Sequence, residues 1–272
     1  MIQAGEIKQI ASRLELRDTQ IEKDYVNSWI LKGINNNKYL KEHLIFKGGT
    51  LLRKVFYPEY RLSEDLDFTF QKENFDVEII KIEFSSVCRW VFDESRIRLE
   101  MIDENIYETG NFNFYISYTG PLGGAGTNKS IKVDISSTEL IINPPGRKFL
   151  YKVYSDLKEE QKVLCYEIDE LISEKMRSLM QRTEPRDLYD IWYIFEIESL
   201  NIENYIYTFK AKARYKGYDP DQFVPTLEKK KIIFQKNWEQ HLSVQLNDLP
   251  DFEDVWRGLG KHWRKFTRFI KT

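Results

Sequence analysis

The chain is poor in the residues that build disulfide scaffolds and zinc sites. Its two cysteines, Cys88 and Cys165, stand far apart, and neither has a Cys-x-x-Cys partner, which excludes a disulfide framework and a thiolate metal site. Two buried free thiols in a reducing cytoplasm are the expectation. The three histidines, His43, His241 and His262, are too scattered for a catalytic triad or a zinc site. No charge-free run approaches bilayer-spanning length, and the opening stretch MIQAGEIKQIASRLELRD lacks the apolar core of a secretory signal. A soluble cytoplasmic protein with no membrane partner is expected. An excess of one charge is missing too: 41 Lys and Arg stand against 43 Asp and Glu, so any surface for nucleic acid has to be local. Internal repeats and low-complexity tracts are also absent.

What is present is ample core material. Hydrophobic residues make up 42% and aromatics 14% of 272 residues, enough to exclude disorder and to fill one large domain or two modest ones. From Asp18, read as an N-cap, apolar residues recur at helical spacing through Ile21, Tyr25, Trp29 and Ile34 until NNNKY breaks the pattern. Then come a short strand (LIF), a Gly-Gly turn, a brief helix (TLLRKVF) and a strand (LDFTF). A helix over 77–91 precedes three alternating segments, RIRLEMI, FNFYISY and IKVDIS, with the loop TGPLGGAGTNKS between the last two. Beyond Pro144-Pro145-Gly146 strand signals thin out, and helical periods cover 168–182, 186–196 and 251–270. The expectation is an α/β (α+β) fold: a mixed-sheet domain over 1–155 and a helical domain over 156–272.

The stretch FKGGTLLRKVFYPEYRLSEDLDF carries the chemistry. On a strand, Asp65, Asp67 and Thr69 share one face while Leu66, Phe68 and Phe70 share the other. Neighbouring carboxylates repel, and aspartate is disfavoured in strands, so the pair calls for a cation. Hard oxygen ligands suit Mg²⁺, or Mn²⁺, completed by water and substrate phosphates. IKVDIS repeats the arrangement: Lys132, Asp134 and Ser136 lie opposite a core face, making Asp134 a third carboxylate. Gly48, Gly49 and Thr50 let backbone N–H groups and a hydroxyl approach phosphate oxygens at a helix start, with Lys47 and Arg53 adding charge. The competing reading of the acidic pair is a solvated edge strand.

These residues resemble the first motif of the polymerase-beta-like nucleotidyltransferase superfamily, and the Lys-Gly-Gly-Thr form resembles its AbiEii/AbiGii-type toxin branch. Thr50 stands where the wider superfamily often has serine, and the hydroxyl is retained. IEKDYVNSWIL is similar to a helix preceding the glycine motif in that branch, and EKMRSLMQRTEPRDLYDIWYIFE resembles its later Lys…Arg…Arg-Asp-x-x-Asp motif. The resemblance covers residues 21 to about 196. It implies a nucleotidyltransferase-like N-terminal domain that transfers NMP from an NTP to an acceptor such as a tRNA 3′ end, restrained by a cognate antitoxin in an abortive-infection system. The implied roles are metal binding by Asp65, Asp67 and Asp134, with Asp103 as the competing third acid; triphosphate binding by Lys47, Gly48, Gly49, Thr50, Ser63 and Lys175; and membership of the site for Arg182, Asp187 and Asp190. Two other functions are compatible with the same motif: nucleotide binding without transfer, and transfer to a small molecule of the antibiotic kind. A non-enzymatic antitoxin-binding module is a third.

The later motif also has a physical reading. Lys175 and Arg182, seven apart, emerge from one helix face, and Asp187 and Asp190, three apart, share the face opposite Trp192 and Phe195. A surface pair between Arg186 and Asp190 is the competing account. In the tail, Arg257, Lys261, Arg264, Lys265, Arg268 and Lys271 face a single acid, Asp254, interleaved with Trp256, Trp263, Phe266 and Phe269. That pattern fits either an RNA-facing surface or an amphipathic helix whose aromatics are core.

Overall fold

A computed structural model describes residues 1–71, 75–107, 110–124, 129–246 and 248–270. Residues 125–128 of the glycine-rich loop and Lys271 lie outside the described residues. Two compact units emerge, Met1–Glu139 with Pro145–Tyr166 and Leu140–Pro144 with Glu167–Thr272. The expected division at residues 155/156 differs from this for two physical reasons. The strand ending at Cys165 pairs into the N-terminal sheet, and the backbone N–H groups of Ile142 and Asn143 are captured by the buried Glu170 carboxylate.

The first unit opens with α1 (Ala4–Leu14) and α2 (Asp18–Asn36). Arg17 rather than Asp18 is the N-cap of α2, a shift of one residue. There follow α3 (Leu40–His43), β1 (Leu44–Lys47), α4 (Gly48–Leu51) running into a π-turn over Leu52–Phe56, β2 (Leu66–Phe70) and α5 (Val77–Ser95). β3 (Arg98–Tyr107), β4 (Asn111–Thr119), β5 (Ser130–Ser136), β6 (Gly146–Phe149) and β7 (Lys162–Cys165) complete one seven-stranded mixed sheet in the order β3-β4-β5-β2-β1-β7-β6. β2 runs parallel to β5 and β1 parallel to β7, while the remaining pairs are antiparallel.

Alternation decides the faces. Along β4, Phe112, Phe114, Ile116 and Tyr118 are buried while the residues between them are half-buried or exposed. α5 seals that core with Ile80, Phe84, Val87 and Val91, and the Phe84 and Phe114 rings meet edge-on at 4.9 Å. Each such phenylalanine, buried outright, contributes roughly 1.5–3 kcal/mol. β2 therefore lies in the middle of the sheet, which rules out the solvated-edge reading of its acidic residues.

The second unit contains α6 (Ile168–Gln181), α7 (Pro185–Trp192) extended by a π-turn over Tyr193–Ile197, α8 (Ile206–Tyr215), α9 (Phe223–Leu242) and α10 (Phe252–Phe269). Pro185 occupies the first helical position, where its missing N–H costs nothing. Phe209, Phe223, Trp263 and Phe266 form an aromatic core with ring separations of 4.9–5.4 Å. The aromatics of α10 thus face inward.

Candidate active site

Register brings the acids together. Asp67 on β2 stands opposite Asp134 on β5 in the parallel pairing, across a strand spacing of roughly 4.8 Å. The row continues outward on both sides: Lys47 is the register partner of Asp67, and Asn113 that of Asp134. Asp65 precedes β2 by one residue, and its carbonyl accepts the Thr50 hydroxyl. Asp103 is removed from contention, since it sits exposed with a positive φ at an irregularity of β3, an edge strand separated from β2 by β4 and β5. Thr69, expected beside the acids, is buried instead and bonds the Tyr166 hydroxyl at 2.7 Å.

The glycine turn is pressed against the acidic strand. Gly48 has φ +81°, and a Cβ built on it would lie 2.0 Å from Oδ2 of Asp67, so only glycine fits. A Cβ on Gly49 would lie 2.9 Å from Ser63 Oγ and 3.2 Å from an Arg61 guanidinium nitrogen. Gly48, Gly49, Thr50, Ser63, Asp65 and Asp67 are thereby gathered in one place. α4 itself is a single α turn before the π segment, so its aligned dipole is short and anion binding has to rest on the turn's N–H groups and nearby cations. Lys47, largely buried, lies over the Tyr166 ring at 5.8 Å. Arg53 serves the scaffold rather than the turn: it donates to the Tyr60 carbonyl and faces Asp24 at 3.7 Å.

Of two cations here, Arg61 escaped the sequence reading, and Lys132 was placed on the face of Asp134 but given no role. Arg61, 5% exposed, is in period with Ser63, Asp65 and Asp67, which was the signal available. Lys132 pairs with Asp134 at 2.7 Å. Burial alone would pull the Lys132 ammonium down, but the carboxylates of Asp134 and Asp65 hold its pKa above the usual lysine value. Among the described residues, no three His, Cys, Asp or Glu side chains are set to hold a metal ion as they stand. The donor chemistry nevertheless fits a hard cation: two carboxylates in register on adjacent strands, a third beside them, and an ammonium already drawn to that negative charge.

In the second unit, the Lys175 ammonium lies 2.6 Å from Asp190 and 3.5 Å from Asp187, with Asp190 fully buried. Arg182 is the C-cap of α6 rather than part of its face, and its Nε reaches Asp187 at 2.7 Å. Asp190, fully buried against Lys175, is no partner for a surface pair, and Arg186 faces Glu184 at 3.8 Å.

The glycine turn clamped onto a central acidic strand pair of a mixed sheet is built from the residues that resemble the first nucleotidyltransferase motif. The model of the nucleotidyl transferase AbiEii toxin family of type IV toxin–antitoxin systems matches residues 29–259, and the chain belongs to that family. The match runs past residue 196 into the C-terminal helices. Among solved structures, JHP933 from Helicobacter pylori superposes with a TM-score of 0.60 at 16% identity, covering 94% of this chain and 95% of that one. The nucleotidyltransferase toxin MenT4 from Mycobacterium tuberculosis H37Rv superposes with a TM-score of 0.50 at 16% identity, covering 97% and 98%. At this identity the likeness concerns the fold. No curated protein matches the sequence. Membership of the toxin family implies a nucleotide substrate and an antitoxin partner. No described helix is long and apolar enough to cross a membrane.

Proposed function

We propose that this toxin is a metal-dependent nucleotidyltransferase that moves NMP from an NTP to the 3′ end of an RNA, a tRNA in the first instance, as the arresting step of abortive infection. The observation that carries the reading is the in-register pair Asp67 and Asp134, with Asp65 beside it, facing a turn where only glycine fits. In the step, the acceptor hydroxyl oxygen bonds to the α-phosphorus, the bond from that phosphorus to the β-bridging oxygen breaks, and pyrophosphate leaves. Asp134 takes the hydroxyl proton. When held by Asp65, Asp67 and Asp134, Mg²⁺ or Mn²⁺ supplies charge neutralisation and a lowered hydroxyl pKa. The chain's own residues do the positioning. Backbone N–H groups of Gly48 and Gly49, the Ser63 hydroxyl, and the Lys47 and Arg61 cations hold the triphosphate, while Thr50, its hydroxyl proton already given to the Asp65 carbonyl, ties the turn to the acidic segment. Lys132 transfers its charge from Asp134 to a phosphate oxygen. Lys175 keeps the phosphate role that the resemblance implies, its ammonium oriented by Asp190 and Asp187, and Arg182 braces Asp187.

Support for an RNA acceptor comes from α10. Arg257, Lys261, Arg264 and Arg268, at spacings of four, three and four, form one exposed cationic stripe on that helix, suited to a phosphate backbone. Expression of wild type and Asp65→Ala, each with and without the cognate antitoxin, tests the enzyme reading. Growth arrest by wild type alone, with the variant folded, antitoxin-competent and harmless, is expected. Equal arrest by the variant would remove the acidic strand from the mechanism.

A further inference from the structure

The motif IEKDYVNSWIL has no part in the chemistry above, yet it places three charged residues in a row, Glu22, Lys23 and Asp24. Successive side chains on a helix diverge by about 100°, so three in a row cannot share one solvated face. Here Glu22 is fully buried and Asp24 nearly so, and each of the three runs to a different segment that contains or adjoins site residues. Glu22 accepts from the Leu122 backbone N–H and from Lys129 Nζ, each at 2.7 Å. Lys129 also donates to the Gly123 carbonyl at 2.7 Å, so one buried carboxylate holds Leu122 and Lys129, and through Lys129 Gly123, Lys129 standing next to β5, the strand of Lys132 and Asp134.

Lys23 pairs with Glu64 at 2.8 Å, and Asn27 Nδ2 donates to the Glu64 carbonyl at 3.0 Å. The residue between Ser63 and Asp65 is thus held by side chain and backbone together. Asp24 accepts from Lys54 at 2.7 Å and from the Tyr154 hydroxyl at 2.6 Å, while Arg53 faces it. Arg53 and Lys54 belong to the π-turn that continues α4 (Gly48–Leu51).

We infer that Glu22, Lys23, Asp24 and Asn27 are positioning residues, which fix the glycine turn, the Ser63–Asp67 segment and the entry to β5 onto one helix and so set the spacing of the reacting groups. The inference rests on the nucleotidyl-transfer reading for its purpose and on α2's own contacts for its mechanism. None of the four is placed on substrate. Their effect is geometric, and misplacement of a reacting group by about 1 Å costs on the order of 100-fold in rate.

The test compares wild type with Lys23→Met, Lys23→Arg, Asn27→Ala, Glu22→Gln and the exchanged pair Lys23→Glu/Glu64→Lys. Lys81→Met is the control, because the Lys81–Glu104 pair has a similar length and exposure (2.7 Å; 28% and 34%) to Lys23–Glu64 (2.8 Å; 19% and 35%). Binding of fluorescent α,β-methylene analogues of the four NTPs is titrated, and hydrogen exchange is followed by mass spectrometry. Lys23→Met and Asn27→Ala are expected to weaken binding about ten-fold, with Lys23→Arg and the exchanged pair recovering most of it. Exchange should rise in 61–67 for Lys23→Met and in 129–134 for Glu22→Gln, while Lys81→Met changes neither affinity nor those segments. Unchanged affinity and exchange in Lys23→Met and Glu22→Gln would overturn the inference, as would an equal loss of affinity in Lys81→Met. Segment-specific exchange in a protein whose wild type binds no analogue would uphold the tethering and remove the nucleotidyl-transfer reading instead.

Discussion

Gly48 leaves no room for a methyl group, since the Asp67 carboxylate occupies the space a Cβ would take and φ is +81°. Gly48→Ala is therefore expected to displace Asp67 and reduce transfer by on the order of 100-fold or more, read from initial rates at saturating NTP. Asp24 makes a different residue-level prediction. Burial pushes its carboxyl upward, but Lys54 and Arg53, with hydrogen bonds from Lys54 and Tyr154, outweigh this and hold its pKa below the ordinary 3.8. The folded protein thus binds fewer protons here than the unfolded chain. Its stabilising contribution is complete above pH about 4 and is lost as pH falls through the folded-state value. Asp24→Asn leaves two buried cations uncompensated and is expected to cost about 3–5 kcal/mol, with less of the wild-type fall in stability toward pH 3. Chemical denaturation at pH 7 and pH 3 measures both. Burial also pushes the Cys88 thiol up to about 11, so alkylation of native protein at pH 8 should be slow and should accelerate on unfolding. At this scale, the period-two alternation that sets Asp65 with Asp67, and Asp134 opposite the core face of its own strand, was legible in the sequence, while the register that brings Asp134 beside Asp67 was not. The roles of Glu22 and Lys23 were not, because their partners lie 107 and 41 residues away and only the fold brings them close.

Elements with strong periods were readable, and weak ones were not. α5, β4 and α10 follow their amphipathic patterns closely. β6 and β7 are four residues each, and β6 is rich in cations, so neither offers enough alternation to register as a strand. In α10, Trp256, Trp263 and Phe266 are buried while Arg257, Lys261, Arg264, Lys265 and Arg268 stay outside. Arg264→Glu/Arg268→Glu is accordingly expected to weaken binding of labelled tRNA about ten-fold, and to lower the slope of log affinity against log salt by roughly 2. An unaltered slope would exclude the stripe as a phosphate-binding face. At the junction of α6 and α7, Asp190→Ala strands the buried Lys175 ammonium and should destabilise the second unit by roughly 3–5 kcal/mol, measurable by denaturant melts.

For the molecule as a whole, fold class and family membership were accessible from the glycine turn, the acidic strand and the later Lys…Arg-Asp-x-x-Asp stretch. The limits of the two units were not, because Leu140–Pro144 joins the second unit through backbone bonds to Glu170, a partner no local pattern announces. Function at this scale turns on whether a nucleotide is split and one part kept. Purified protein is incubated with each α-³²P-labelled NTP, Mg²⁺ and total tRNA beside an Asp65→Ala/Asp67→Ala control, and label is followed into RNA, protein and small molecules. Label in RNA with wild type alone, from one preferred NTP, is the expected outcome. Nucleotide binding without label in RNA under any of the four NTPs would mean that the acidic strand holds a nucleotide for some other purpose.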